Sequence, residues 1–344
     1  MNDLNTLAID LAKNVFQVCK RSPQGKVFFN REMTRAKLKE LLANERVALV
    51  AMEACSSSHY WARYAAELGH EVKVINARAV KAFQIKQKTD RNDALAIAVA
   101  ATQAHIPSVR VQSADEQALQ SLERARQLAT SHQIAQSNQI RGLLAEFGIV
   151  APKGLKSLRE KIPYILEDGD NRLPGSFREM LHQLWEHLLA QIEHTEALEK
   201  QLEATVKSNN VCQKLMKLEG VGPICAVGLA VKLGRGESFA NGRQASANIG
   251  LTPRQHSSGG QERTINISKY SADKRLRSTL FQGALSVITQ VMKRPARTHK
   301  EQWLQALVMR RGQKIAAIAL ANKTVRTAYA ILKNDSVYQP IGLA

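Results

Sequence analysis

Residues 47–53 read VALVAME, an unbroken apolar run closed by a carboxylate. A run of this kind suits a strand buried on both faces near the middle of a sheet, since a half-buried strand would alternate apolar and polar residues. Upstream, residues 5–11 (NTLAIDL) and 14–20 (NVFQVCK) read as two strands joined by a tight turn. Residues 25–31 (GKVFFNR) read as a third, after a Pro-Gln-Gly turn. A helix begins after Met33, where Thr34 can cap it, and carries Leu38, Leu41 and Leu42. Downstream, the pattern predicts a helix over about 57–68, a short strand VKVI over 72–75 and a helix over about 77–87.

A three-strand meander followed by strand–helix alternation is the order of a ribonuclease H-like (RuvC-like) α/β domain, in which the first and fourth strands are neighbours. Fold alone assigns no chemistry. The chemistry comes from four acids. Asp10 lies inside the apolar strand TLAIDLA and Glu53 ends VALVAME, where a carboxylate is costly unless a cation or hydrogen bonds neutralise it. The fold brings these two to one sheet edge. Asp90 and Asp93, in KTDRNDALAIAVAA, are three apart at a helix start and share a face. Three of them have an ordinary reading: Asp90 and Asp93 favour the helix dipole behind a Thr89 cap, and Glu53 is a solvated strand end. Asp10, with apolar neighbours on both sides, resists one. Four carboxylates in this order on this pattern point to a site for Mg²⁺, with Mn²⁺ as a substitute, of the kind that serves phosphodiester chemistry.

The 344-residue chain divides by pattern and charge into three segments: 1–112, the α/β domain; 113–208; and 209–344. The middle segment carries two long amphipathic runs, one from Leu119 to Phe147 and one through Leu181, Leu184, Leu188, Ile192, Leu198 and Leu202. Between them lies a stretch punctuated by Gly and Pro, and the whole reads as a helical hairpin, a coiled-coil spacer or oligomerisation arm. Net charge is +7, −3 and +15 over the three segments, +19 in all, a balance that points to nucleic acid. With only 17 aromatic residues, the composition argues against a reader that works mainly by stacking unpaired bases, and duplex or structured-RNA backbone is the better match. Cys19, Cys55, Cys212 and Cys225 are scattered without metal spacing, no apolar run is long enough to span a membrane, and the N-terminus lacks the order of a signal peptide. A reducing cytoplasm, with the protein on the nucleoid while it acts, is therefore expected.

The last segment is mainly helical, with helices over about 275–293 and 313–333. It opens on LEGVGPICA (218–226), whose Gly220 and Gly222 have the spacing of a helix-hairpin-helix turn that meets a phosphate. The plainer reading is a Gly-rich helix connection that binds nothing; the charge around it favours the phosphate. Arg254, Lys274, Arg275 and Arg277 are further candidate nucleic-acid contacts.

IDLAKNVF, MEAC and KTDRNDA, followed by LEGVGPICA and GLTPRQHSSGG, resemble the DEDD transposases of insertion sequences related to the Piv DNA invertase, many of them recombinases guided by a bridge RNA. The resemblance covers nearly the whole chain and implies that Asp10, Glu53, Asp90 and Asp93 are the metal ligands. It implies that Ser258, eight residues past Gly250 and directly before a Gly, attacks the scissile phosphate and forms a phosphoserine link. It also implies donor and target duplex DNA, a bridge RNA from the same element, and a tetramer made of dimers with an active site composed from two subunits. The family's Ser-Lys-x-Gly pattern departs here to ISKYSADKRLR, with Ser271 in place of the Gly. Three alternatives share some of these features: a protein-only invertase of the Piv type, a metal-dependent junction-resolving nuclease in which water attacks, and a non-catalytic architectural DNA-binding protein.

Overall fold

A computed structural model describes residues 4–85, 87–265, 267 and 273–342. The chain forms two compact units, Met1–Glu116 and Gln117–Ala344. The expected 1–112 segment falls in the first, and nearly all of 113–208 and all of 209–344 fall in the second.

The first unit runs β1 (Thr6–Asp10), β2 (Val15–Arg21), β3 (Val27–Thr34), α1 (Arg35–Asn44), β4 (Leu49–Glu53), α2 (Ser58–Glu67), β5 (Glu71–Ile75), α3 (Ala77–Lys81) and α4 (Asp90–Ala101). Its sheet has the order β3-β2-β1-β4-β5. β1–β2 and β2–β3 pair antiparallel, whereas β1–β4 and β4–β5 pair parallel. The first and fourth strands are neighbours, in register from Thr6 with Leu49 to Ile9 with Met52.

Period-two alternation sorts the side chains onto two covered faces. Leu7, Ile9, Phe16, Val18, Val50 and Met52 pack with Leu38 and Leu42 of α1 and Trp61 of α2. On the other face Ala8, Cys19, Ala51 and Ile75 meet Ala94, Ile97, Ala98 and Ala101 of α4. Alanine on both sides of this contact allows helix and sheet to pack closely. The helix predicted over 77–87 is shorter than expected: α3 ends at Lys81 and a turn follows. Thr89 starts a new helix by accepting from the Asn92 amide at 3.3 Å, and Gln84 is drawn into a side-chain bond to Asp93. Lys86 lies outside the described residues.

The second unit contains α5 (Ala114–Glu146), α6 (Leu155–Glu167), α7 (Gly175–Ser208), α8 (Asn210–Met216), α9 (Pro223–Leu233), α10 (Gly242–Ile249), β6 (Arg254–Ser258), β7 (Gln261–Ile265), α11 (Lys274–Val291), α12 (His299–Arg311) and α13 (Gln313–Lys333). The two long amphipathic runs are α5 and α7, tied by Arg126 to Glu199 at 2.9 Å. The Gly/Pro-punctuated stretch between them holds α6, whose Leu158, Ile162 and Ile165 point inward while Pro163 stays on the exposed side. The main core of the unit takes Leu119 from α5 and Leu202 and Val206 from α7, together with residues of α8, α9, α10, α11 and α13. No described helix is long and apolar enough to cross a membrane.

Candidate metal centre and serine hairpin

Asp10 ends β1 on the same face as Ala8, and Glu53 ends β4 on the same face as Ala51. Both are therefore turned to the side that α4 covers. Thr89 fixes the start of α4, which carries Asp90 and Asp93 in its first turn. Carboxylate oxygens of Asp10, Asp90 and Asp93 lie within 4.8 Å of one another. Glu53 stands outside that trio but within electrostatic reach of it, since its charge raises the pKa of Asp10 and Asp93 in turn raises its own.

Burial, then the charges of Asp93, Asp90 and Glu53, push the Asp10 pKa up to about 6, against a smaller opposing effect of Lys88. Burial, followed by Asp93, raises Glu53. Hard oxygen donors crowded at this spacing fit a divalent cation such as Mg²⁺, whose charge would reverse both shifts.

Three polar residues that the sequence did not single out hold the arrangement. Gln17 lies opposite Asp10 in the β1–β2 register, is 4% exposed, and donates to Asn30 Oδ1 at 2.6 Å. Asn30 donates to the Arg91 carbonyl at 2.8 Å, and Arg91 donates back to the Asn30 carbonyl at 3.2 Å. The first turn of α4 is thereby clamped to the β2–β3 edge. Gln84 hydrogen-bonds Asp93. The available sequence signal was Gln17 alone, a polar residue at an inward position of NVFQVCK; its partners are distant in sequence.

Ser258 is the exposed last residue of β6 and pairs with Gln261 across a two-residue turn. Gly259 and Gly260 both have positive φ, 55° and 77°, which is why glycines connect these strands. The stretch HSSGG is thus a hairpin, and Ser257 and Ser258 face opposite sides of it. The Gly-Gly pair between two extended polar stretches was the signal that would have found it.

The other expected contacts differ among themselves. Gly220, at φ 74°, is pressed against Gly283 of α11, and a Cβ on it would meet the Gly283 carbonyl oxygen at 2.7 Å. Gly222 caps α9 with open space beside it. Arg254 opens β6, exposed. Lys274 is exposed at the start of α11, Arg275 pairs with Glu123 at 3.7 Å, and Arg277 donates to the Gly250 carbonyl at 3.4 Å. Ser271 lies outside the described residues.

Residues 7–149 match a transposase family of the DEDD, IS110 type, and residues 212–301 match the transposase IS116/IS110/IS902 family. The chain is 38% identical to a probable family 20 transposase of Pseudomonas aeruginosa over 98% of this chain and 99% of that protein. It is 36% identical to the transposase for insertion sequence element IS1111A of Coxiella burnetii, over 98% and 92%. A pilin gene-inverting protein of Moraxella bovis is 24% identical over 96% of each chain. An α/β unit with clustered carboxylates, a basic helical unit and relatives matched along almost their whole length lead to one assignment: the chain belongs to the IS110-type transposase family, enzymes of DNA recombination that cleave and rejoin DNA strands.

Proposed function

We propose that this transposase is a site-specific recombinase that joins donor and target duplexes under the direction of a bridge RNA, with Ser258 as nucleophile. The observation that carries the reading is the trio Asp10, Asp90 and Asp93, with carboxylate oxygens within 4.8 Å of one another, in a chain that also offers an exposed serine at a strand end. Asp10, Asp90 and Asp93, joined by Glu53 from the adjacent strand, would hold Mg²⁺, which when bound supplies charge neutralisation at the scissile phosphate. Ser258 Oγ loses its proton and forms a bond to phosphorus as the bond to the leaving sugar oxygen breaks, and that oxygen takes up a proton. The phosphoserine keeps the phosphodiester energy, so a second strand's hydroxyl can displace the serine and reseal DNA without ATP. Composition of the active site from two copies in a tetramer belongs to this proposal through the family resemblance, as does the labour of the segments: 1–112 for metal, 113–208 for assembly, 209–344 for nucleic acid and the serine. Gly222 at the α9 start is a phosphate contact of the helix-hairpin-helix kind in the same reading.

The test is transfer of label from target DNA to protein, read after SDS denaturation in the presence of Mg²⁺ and copurifying RNA. Wild type should give a covalent band and Ser258→Ala none, with nucleic-acid binding kept; Ser257→Ala should keep the band. Recombination by Ser258→Ala would replace serine attack with attack by water. A second reading, the protein-only invertase, draws support from the pilin gene-inverting relatives. Sequencing RNA that copurifies with the protein separates the two, because only the guided enzyme should carry one discrete species.

A further inference from the structure

The second unit carries a trough of about 1470 Å³ bordered by α10, α12, α13 and β7. Its apolar lining includes Trp303, Leu251, Ile315 and Ile318. Arg243, Arg311, Lys314, Lys323 and Arg326 line it as well, and no carboxylate does so among the described residues.

Two features separate this trough from an ordinary solvated basic surface. Some cations of the unit are neutralised at close range, Arg126 by Glu199, Arg294 by Glu301 and Lys300 by Glu219, and others such as Lys274 are scattered on the surface, whereas five are gathered around this one trough. Among the described residues none of the five trough cations is in an ion pair, and Lys323 instead stands 4.7 Å from the Trp303 ring centre. Apolar surface is also left in water at the same place, with Ile315 51% exposed and Ile265 of β7 48% exposed. Concentrated positive charge calls for phosphate. A duplex would satisfy the cations only, because its bases are stacked inside and its outer surface is sugar and phosphate. An unpaired strand satisfies both, with phosphates on the Arg and Lys side chains and base faces on Trp303 and the isoleucines.

We infer that this trough binds a short unpaired stretch of nucleic acid beside the hairpin that carries Ser258. Scarce aromatic residues argued against base stacking along the chain as a whole; one aromatic in the right place is enough for one or two bases. The inference deepens the recombinase reading, which explains why unpaired strands arise during exchange, but the binding preference is measured without cleavage.

The experiment uses the full-length protein with fluorescent single-stranded DNA, single-stranded RNA and duplex DNA, each about 12 nucleotides long, a length spanning one typical single-strand site. Replacing Lys323 and Arg326 together by Ala should weaken single-strand binding about tenfold or more and duplex binding by less than about threefold, as expected when base stacking and local phosphate contacts are lost together. Trp61 and Trp185 are buried, so quenching of tryptophan emission by a bound single strand reports Trp303. Trp303→Phe should abolish that quenching while keeping most of the affinity. Whichever of DNA and RNA loses more in the double variant identifies the source of the strand. Equal loss of single-strand and duplex binding, or binding without quenching, would overturn the inference. Ser258→Ala should leave affinity and quenching intact, so failure of the serine reading would not register here.

Discussion

Asp10 is held by strand pairing in a place where its own charge is unfavourable, and the consequence can be measured. Its pKa rises from 3.8 to about 6 in the folded protein, through burial first and then Asp93, Asp90 and Glu53. The folded state therefore binds this proton more tightly than the unfolded state does. The stability so contributed is complete below pH 4 and is lost as pH rises through about 6. Asp10→Asn should accordingly stabilise the metal-free protein at pH 7.5, by about 1 kcal/mol once solvent screening of a part-exposed group is allowed for, and change little at pH 4. Millimolar Mg²⁺ should raise the melting temperature of wild type at pH 7.5 and act much less on Asp10→Asn, with chelator reversing the gain. Thermal melts at the two pH values check both parts; destabilisation by Asp10→Asn at pH 7.5 would count against a strained carboxylate cluster. Asp10 was legible in the sequence because an acid between Ile9 and Leu11 has no cheap local explanation. Asn30 was not, since its task is set by Gln17 and by the Arg91 carbonyl, and the latter is 61 residues away.

At the scale of elements, helix propensity and packing make opposite predictions for one glycine. Gly283 sits inside α11, where Ala is normally favoured by about 1 kcal/mol. Yet a Cβ there would lie 2.0 Å from the Gly220 carbonyl oxygen, in the turn before α9. Backbone cannot yield as a side chain tip can, so the steric effect wins, and Gly283→Ala should destabilise by about 1–3 kcal/mol. Gly142 in α5 has nothing within 4 Å of its Cβ position, and Gly142→Ala should stabilise by up to about 1 kcal/mol. Urea unfolding of the two variants gives the comparison, and two changes of the same sign would refute it. The close approach also explains Gly220: LEGVG was legible as a turn, but its first glycine seats α11. Helices α5, α7, α11 and α13 were legible because each writes a period near 3.6 over enough residues, and strands β1, β2, β4 and β5 because each is a short, largely apolar run bounded by turn or helix signals. β6 and β7 were not, because every residue in them is exposed and no apolar alternation marks them.

Over the whole molecule, charge follows the division into units. Residues 1–116 carry a net +5 and residues 117–344 a net +14. The first unit also concentrates like charges at Asp10, Asp90 and Asp93, which repel phosphate until a cation intervenes. The second unit carries the unneutralised trough cations. Affinity for nucleic acid should therefore reside mainly in residues 117–344, and it should fall steeply with salt, because each phosphate neutralised releases counterions. The cut must come before Leu119, since Leu119, Leu202 and Val206 are buried with the helices of the C-terminal half, and a fragment starting at 209 would lose part of its core. Binding of fragments 1–116 and 117–344 to one duplex, followed across a salt series, checks the assignment. The larger fragment should bind tighter at every salt and show the steeper slope of log affinity against log salt. A tighter or equally salt-sensitive 1–116 fragment would mean that the carboxylate unit carries the main nucleic-acid surface, and the phosphate contacts would then have to be sought around Lys20 on β2, Lys26 just before β3 and Arg31 on β3.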